Sequence, residues 1–208
     1  MLADRLMQYA HRPEVVVLAL PRGGVPVAAA LAERLSLQLD IVLVRKLGVP
    51  GHEEYAMGAV ASGGRPWLNE EVVRALGVSP AAIEAVTQRE LRELCRRSET
   101  YRGAAPHPDV GGRIAILVDD GLATGASMRV AARAVRAQHP QRLVIAVPVG
   151  AQDSCDALRE EADEVVCLHA PEPFRAVGLW YEDFRQTTDE EVIDLLRAAR
   201  RRMSMGAA

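Results

Sequence analysis

Short runs of apolar residues recur along the chain, and each is continuous rather than alternating with polar positions. Continuous apolar runs are typical of parallel strands that are buried on both faces. Stretches with apolar residues at helical spacing lie between several of the runs, including Val25–Leu35 and Ser127–Gln138. This alternation predicts an α/β fold with an open, mostly parallel five-stranded sheet and flanking helices. The predicted strands are Val15–Leu20, Ile41–Val44, Ile114–Val118, Leu143–Val147 and Val165–Leu168.

The interval 67–102 interrupts this alternation and predicts a helical insertion, or hood, that covers the strand tips. Asn69 precedes two glutamates and can cap one short helix, and Ser79 before a proline is a typical start for a second helix. The insertion would divide a core domain made of residues 1–66 and 103–208.

The C-terminal region predicts a final helix. Thr188 and Glu191 have the spacing of a capping box, in which each residue hydrogen-bonds the backbone of the other. The last residues, 200–208, are predicted to form a frayed tail.

Composition and charge exclude several classes of protein. The 208 residues are 49% hydrophobic and 25% charged, and the net charge of −3 gives no support for nucleic-acid or membrane-surface binding. There is no secretory signal pattern and no apolar run near the ~18 residues of a membrane span. Cys95, Cys155 and Cys167 lack CxxC pairing, so we expect ordinary thiols in a cytoplasmic protein.

The stretch Ile114–Ser127, "IAILVDDGLATGAS", carries most of the candidate chemistry. If a helix begins at Ser127, the small-residue loop offers backbone N–H groups, hydroxyls and a positive helix end, all of which suit a phosphate dianion. Asp119 and Asp120 cannot share that phosphate, but they suit nearby hydroxyls or a hydrated divalent cation. A ribose 5-phosphate unit would satisfy both demands.

Other interpretations of this stretch are weaker. The chain has no GxxxxGK[ST] motif, no GxGxxG after its first strand, and no GxSxG elbow, so a P-loop, dinucleotide or hydrolase site is poorly supported. A plain strand-to-helix turn with acidic caps remains an alternative, as does an unrelated α/β phosphosugar-binding protein.

The segment "ILVDDGLATGAS" resembles the phosphoribosyl-pyrophosphate (PRPP) motif of type I phosphoribosyltransferases. The resemblance implies that Asp119 and Asp120 contact the ribose diol as catalytic residues. It also implies Mg²⁺ as cofactor, held through PRPP, with the two aspartates as candidate ligands. The implied 5-phosphate loop comprises Ala123, Thr124, Gly125, Ala126 and Ser127.

Two further segments resemble the family's pyrophosphate contacts. In "PRGGVPVA", Arg22, Gly23 and Gly24 would bind pyrophosphate, and the family's strained or cis peptide would fall at Arg22–Gly23. A simple glycine turn is the alternative.

The segment 44–60, "VRKLGVPGHEEYAMGAV", resembles the mobile catalytic loop of orotate phosphoribosyltransferases. Arg45 and Lys46, with His52 as a further candidate, would neutralise the departing pyrophosphate. Lys46 is the only lysine among 25 basic residues. Glu53 and Glu54 depart from the orotate enzymes, which carry further lysine here.

The acceptor stays open. Alanine at position 123 resembles the adenine and uracil enzymes, whereas "PFRAVGLWYEDF" resembles the base-binding segment of the purine enzymes. Phe174, Val177 and Trp180 are the candidate base contacts, with core packing as the alternative for Trp180.

Two functions follow from the resemblance. The first is a Mg²⁺-dependent phosphoribosyltransferase of nucleotide metabolism, which transfers phosphoribosyl from PRPP to a nucleobase or other nitrogen acceptor. The second is a PRPP-binding regulator without transfer activity. The implied partners are PRPP and a small nitrogen acceptor, with no nucleic acid and no membrane, and the chain would be a monomer or homodimer.

Overall fold

A five-stranded parallel sheet forms the centre of the fold. The structure, a computed structural model, describes residues 1–62, 66–103, 105 and 108–206. In that range the strands are β1 (Val15–Ala19), β2 (Gln38–Ile41), β3 (Val44–Val49), β4 (His52–Ala61), β5 (Trp67–Leu68), β6 (Ile114–Val118), β7 (Arg142–Val149) and β8 (Glu164–His169). The helices are α1 (Gly24–Leu35), α2 (Glu70–Ala75), α3 (Pro80–Arg102), α4 (Ala126–Arg136), α5 (Gln152–Ala157) and α6 (Asp189–Gly206). The parallel sheet has the order β2–β1–β6–β7–β8, which confirms the predicted α/β architecture.

Alternate residues of the central strands face two different helical layers. In β1, Val15 and Val17 belong to the core that includes α1 and α6, whereas Val16 and Leu18 belong to the core that includes α4. All five residues of β6 are buried. This burial on both faces explains why the strands are uninterrupted apolar runs in the sequence.

A second, antiparallel sheet has the strand order β3–β4–β5 and was not predicted. The segment expected to be a mobile loop, 44–60, forms the hairpin of β3 and β4, in which Lys46 pairs with Ala59. Gly51 lies in the turn with a φ of 79°. The predicted strand at Ile41–Val44 is misplaced, because this apolar run contains the end of β2 and the start of β3.

The segment predicted as a helical insertion is helical over most of its length. Both predicted caps are present: Asn69 Oδ1 accepts from the N–H of Val72 at 3.3 Å, and Ser79 Oγ accepts from the N–H of Ala82 at 3.2 Å. Helix α3 packs mainly against β3, β4 and α6. The insertion therefore joins the antiparallel sheet to the last helix.

The last helix, α6, is longer than the sequence predicts. The capping box is confirmed, since Thr188 Oγ1 accepts from the N–H of Glu191 at 3.2 Å and Glu191 Oε2 accepts from the N–H of Thr188 at 2.8 Å. The expectation of a frayed tail over 200–208 is wrong for residues 200–206, which continue α6. The last two residues lie outside the described range. Among the helices of the described residues, none has the length and apolar character needed to span a membrane.

A buried ion pair joins the end of α3 to the edge of the parallel sheet. Arg102 Nε lies 2.9 Å from Asp40 Oδ1, and the two side chains are only 1% and 7% exposed. Arg102 also donates to the carbonyl of Ile41, and its own carbonyl accepts from Arg200 at 3.2 Å. Burial raises the pKa of Asp40 against the opposing effect of Arg102. The pair therefore connects β2, α3 and α6.

Replacing Arg102 with methionine should lower the free energy of unfolding by about 3–5 kcal/mol, because the Asp40 carboxyl group would stay buried without its partner. Urea unfolding followed by circular dichroism measures this change. The matched control is Arg197→Met, whose ion pair with Asp194 is largely exposed and should contribute less than about 1 kcal/mol. Equal effects of the two substitutions would contradict the role assigned to Arg102.

Candidate functional site

The carboxyl ends of β1 and β6 lie side by side at one edge of the parallel sheet. The two strands pair in parallel with Ala19 opposite Val118. The loops that follow them, residues 20–23 and 119–125, therefore begin next to each other. Ligands of open α/β sheets bind at this edge, so the fold brings together the predicted pyrophosphate loop and the predicted PRPP motif.

The glycine loop after β1 packs directly against the aspartates after β6. A Cβ atom added at Gly23 would lie 1.9 Å from Asp120 Oδ2, and one added at Gly24 would lie 2.6 Å from the carbonyl oxygen of Val118. The close approach requires glycine at position 24, where the nearest atoms belong to backbone, whereas a side chain at position 23 would have to displace the Asp120 carboxylate.

The cleft beside this contact has a volume of about 530 Å³. Arg22 and Gly23 line one side of it, and Asp120 and Tyr181 line another. The non-proline cis peptide of the glycine loop is Pro21–Arg22, one bond before the position that the resemblance suggested. The remaining lining residues are Pro26, Val27, Asp183, Phe184, Arg185, Gln186 and Thr187.

The predicted phosphate loop leads into the first turn of α4. Gly125 occupies the N-cap position with a φ of 67°, a left-handed conformation that favours glycine. The helix begins at Ala126, one residue earlier than predicted, and Ala123, Thr124, Ala126 and Ser127 are exposed. The first N–H groups of a helix lack intrahelical partners and favour an anion. The loop thus has the geometry that phosphate binding needs.

Backbone and side-chain hydrogen bonds hold this loop against the neighbouring strand end. The N–H of Leu122 donates to the carbonyl of Val149 at 2.9 Å, and the Leu122 carbonyl accepts from the N–H of Ala151 at 2.8 Å. Ser154 Oγ, at the start of α5, donates to the carbonyl of Ala123 at 2.7 Å. The phosphate loop is therefore supported by β7 and α5 as well as by α4.

The two aspartates lie in a partly buried and electrostatically unfavourable place. Burial raises the pKa of Asp119 to about 7, and the charge of Asp120 adds to the rise. Burial also raises the pKa of Asp120. The Tyr181 hydroxyl donates to the carbonyl of Asp120 at 2.6 Å, and burial together with the two aspartates raises the pKa of Tyr181 to about 12. A cation or hydroxyl donor at the pair would relieve this repulsion.

The aspartate pair fits a divalent cation that arrives with its ligand. Within the part of the chain that the structure describes, no three His, Cys, Asp or Glu side chains are grouped to hold a metal ion. Mg²⁺ is commonly bound by one or two carboxylates, with waters and substrate phosphates as the other ligands. Asp119 and Asp120 would be the carboxylates of such a site.

Arg45 and Lys46, predicted to meet the same ligand, lie on β3 and line a different groove. Arg45 Nε donates to Glu90 Oε2 of α3 at 2.8 Å. The described residues that line this groove come from β3, β4 and α3 rather than from the carboxyl edge of the parallel sheet. His52, at the start of β4, packs edge-on against Tyr55 with ring centroids 6.4 Å apart.

The three candidate base contacts have different surroundings. Val177 packs closely over the PRPP motif, since a Cβ added at Gly121 would lie 2.7 Å from Val177 Cγ1. Trp180 is 50% exposed and stacks on His169 with centroids 6.3 Å apart, so it is not a core residue. Phe174 is partly buried.

Sequence reasoning missed Tyr181 and Ser154, each of which hydrogen-bonds a carbonyl of the PRPP motif. The one sequence feature that could have indicated Tyr181 is its position next to Trp180, in the segment that resembles a base-binding region. No sequence pattern pointed to Ser154, because the carbonyl that it contacts, that of Ala123, lies on another loop.

Comparison with known proteins identifies the class. The family model described as the phosphoribosyl transferase domain matches residues 1–180. The chain belongs to this family, as the resemblance of its motifs predicted.

Individual relatives agree with this assignment. "Putative phosphoribosyl transferase Rv0571c" of Mycobacterium tuberculosis strain H37Rv is 46% identical over 200 residues, which cover 96% of this chain and 45% of that protein. The same values hold for "Putative phosphoribosyl transferase MT0597" of strain CDC 1551 / Oshkosh. The chain thus spans less than half the length of these relatives. The crystal structure of TT1426 from Thermus thermophilus is 44% identical, with a TM-score of 0.81 and coverage of 94% of this chain and 92% of that one.

Replacing Gly23 with alanine should weaken PRPP binding by about tenfold or more, because the added methyl group must displace either the glycine loop or Asp120. Isothermal titration calorimetry measures the affinity, and circular dichroism checks the fold. The matched control is Gly111→Ala, where the nearest atom, an Asp109 carboxylate oxygen, is 3.2 Å away. Unchanged affinity in a folded Gly23→Ala protein would contradict the close-contact interpretation.

The affinity for Mg²⁺–PRPP should rise with pH and level off above about 7. Because the pKa of Asp119 is raised to about 7, a proton competes with the ligand below that pH, by up to about tenfold per unit. Calorimetric titrations between about pH 5.5 and 8.5 test this, and Asp119→Asn should remove that part of the slope. Ionisation of the ligand phosphate, with a pKa near 6, affects both proteins equally. Identical pH profiles would refute the assignment to Asp119.

Proposed function

We propose that the chain is a Mg²⁺-dependent phosphoribosyltransferase, which transfers the phosphoribosyl group of PRPP to a nucleobase or another nitrogen nucleophile and releases pyrophosphate. The observation that carries the proposal is the contact of Gly23 with Asp120. It gives the site a fixed order: a glycine loop, two carboxylates, and a loop at a helix N-terminus. PRPP has the matching order of pyrophosphate, ribose diol and 5-phosphate.

Each part of this ligand has a proposed partner. The 5-phosphate would accept hydrogen bonds from the backbone and hydroxyls of residues 123–127 at the start of α4. The ribose hydroxyls would donate to Asp119 and Asp120. Pyrophosphate would lie at Arg22, Gly23 and Gly24, with the Arg22 guanidinium group and the N–H of Gly23 as the proposed donors. The N–H of Gly24 donates to the carbonyl of Leu20 at 3.1 Å, and Arg22 lies 3.6 Å from Asp189.

Transfer forms a bond between the acceptor nitrogen and the anomeric carbon and breaks the bond to pyrophosphate. Charge therefore accumulates on the leaving pyrophosphate, and preorganised cations that meet this charge lower the barrier. A bound Mg²⁺ would supply part of that positive charge. Arg45 and Lys46 are proposed to add to it, which requires the β3–β4 hairpin to bring them to the cleft when PRPP binds.

The acceptor is proposed to bind at the cleft between the glycine loop and the segment after β8. Val177 and Trp180 lie on this segment, although the described residues that line the cleft include neither of them. The Trp180 ring, which is half-exposed and stacked on His169, is the proposed stacking partner of a planar base. Ala123 favours an acceptor other than a 6-oxopurine, because it resembles the adenine and uracil enzymes. Phe174 is the remaining candidate contact.

A PRPP-binding regulator is the second candidate function. One observation favours it: the ion pair between Arg45 and Glu90 holds a proposed catalytic cation in a groove away from the aspartates. A protein that only senses PRPP has no need to neutralise a leaving group.

The two functions are separated by measuring pyrophosphate release from Mg²⁺–PRPP with a panel of nucleobases and small amines. A transferase should release pyrophosphate in the presence of one acceptor class. Tight PRPP binding without release on any acceptor would favour the regulator. Absence of PRPP binding would refute both.

Within the same assay, Lys46→Ala should lower turnover by about 10²–10³-fold, because a cation that meets the leaving group is removed. Lys46→Arg keeps the charge and should retain more activity. Circular dichroism spectra of both variants should match that of the parent protein. Near-normal turnover of Lys46→Ala would remove Lys46 from the proposed machinery.

A further inference from the structure

A basic groove lies between the β3–β4 hairpin and α3, outside the cleft described above. Its volume is about 530 Å³, comparable to that of a small-molecule site. Arginine and lysine side chains outnumber carboxylates along its walls. The lining residues are Val44, Arg45, Lys46, Gly48, Glu53, Arg89, Glu90 and Arg97.

Glu90 organises two of the arginines. It is a buried residue of α3, and its two carboxylate oxygens have different partners: Oε2 accepts from Arg45 Nε at 2.8 Å and Oε1 accepts from Arg89 Nε at 3.0 Å. Burial raises the pKa of Glu90, but the two hydrogen bonds and the charges of Arg45 and Arg89 together outweigh burial and hold the pKa below its usual value. One ionised carboxylate therefore fixes guanidinium groups from two separate elements.

Both guanidinium groups remain able to bind another acceptor. Arg45 and Arg89 each meet Glu90 through Nε, so the paired terminal nitrogens are not used in that bond. Their side chains are 41% and 57% exposed. A guanidinium group held through Nε can present its terminal nitrogens to a planar or tetrahedral anion.

Basic residues are in the majority among the described residues that line the groove. Lys46 and Arg97 line it together with the arginine pair, whereas Glu53 is the second carboxylate. Glu53 Oε1 accepts from the N–H of Gly51, and the charge of Arg89 also lowers the pKa of Glu53. Nearby on α3, Glu93 is paired with Arg96 at 2.9 Å, and the charges of Arg45 and Arg97 also lower the pKa of Glu93. Four of the described lining residues are therefore cations and two are carboxylates.

We propose that this groove is a second anion site, organised by Glu90, that binds a compact phosphate-bearing ligand through Arg45, Lys46, Arg89 and Arg97. Arginine forks match phosphate oxygens, and a volume of this size accommodates pyrophosphate or a nucleotide rather than a macromolecule. An occupied groove would also hold Arg45 and Lys46 against α3. Ligand binding in the groove would then oppose phosphoribosyl transfer, because it would keep Arg45 and Lys46 away from the cleft. This regulatory part of the proposal rests on the proposed function.

The test compares two double variants of equal charge. Arg89→Ala/Arg97→Ala removes two groove residues, whereas Arg92→Ala/Arg201→Ala removes two exposed arginines that do not line the groove among the described residues. Inorganic pyrophosphate is titrated calorimetrically, with both doubles carried in the Gly23→Ala background so that binding at the proposed cleft is weakened to the same extent in each. The groove double should bind about tenfold more weakly or worse, because two charge-assisted contacts are lost. The control double should bind like the Gly23→Ala parent.

Equal affinities of the two doubles, or no binding by the Gly23→Ala parent, would overturn the proposal. If the groove double fails to fold, Arg89→Gln alone, at an exposed position, gives the same comparison against Arg92→Gln. Titration with ATP beside pyrophosphate distinguishes a nucleotide effector from the reaction product. PRPP binding by the unmodified protein is measured separately, so failure of the proposed function and failure of the groove give different results.

Discussion

The contact between the glycine loop and the aspartate pair is the constraint on which the rest of the site depends. Parallel pairing of β1 with β6 brings the two loops to one edge of the sheet. At that edge the backbone of Gly24 comes so close to the Val118 carbonyl that no side chain fits, and Gly23 packs against the Asp120 carboxylate. The two loops proposed to bind anions therefore begin next to the two carboxylates.

The fold maintains this arrangement against an electrostatic cost. Asp119 and Asp120 are adjacent and partly buried, and the raised pKa of Asp119, about 7, reflects that environment. Elsewhere the protein offsets buried carboxylates with arginine, as at Asp40 with Arg102 and at Glu90 with two arginines. Among the described residues, the hydrogen-bond partners of the aspartate pair are a backbone amide and the Tyr181 hydroxyl, and neither aspartate forms an ion pair, although Arg22 lines the same cleft. Binding of a cation or a hydroxyl-bearing ligand would therefore stabilise the ionised aspartates.

The features that were predicted correctly from the sequence are those whose structure depends on residues close to one another along the chain. The strand Ile114–Val118 was located to the residue, because burial on both faces produces an unbroken apolar run. The cap at Asn69 was likewise local. Contacts between distant segments could not be read in this way: Arg45 meets Glu90 across 45 positions, and Tyr181 meets Asp120 across 61. The β3–β4 hairpin was not predicted, although Pro50 and Gly51 at its turn are residues typical of turns.

The most direct test of the account is a crystal structure of the protein with Mg²⁺ and PRPP. The account predicts the 5-phosphate at residues 123–127, the ribose diol within hydrogen-bonding distance of Asp119 and Asp120, and pyrophosphate on the Gly23–Gly24 backbone. PRPP bound in the reverse orientation, or bound away from the aspartate pair, would contradict it.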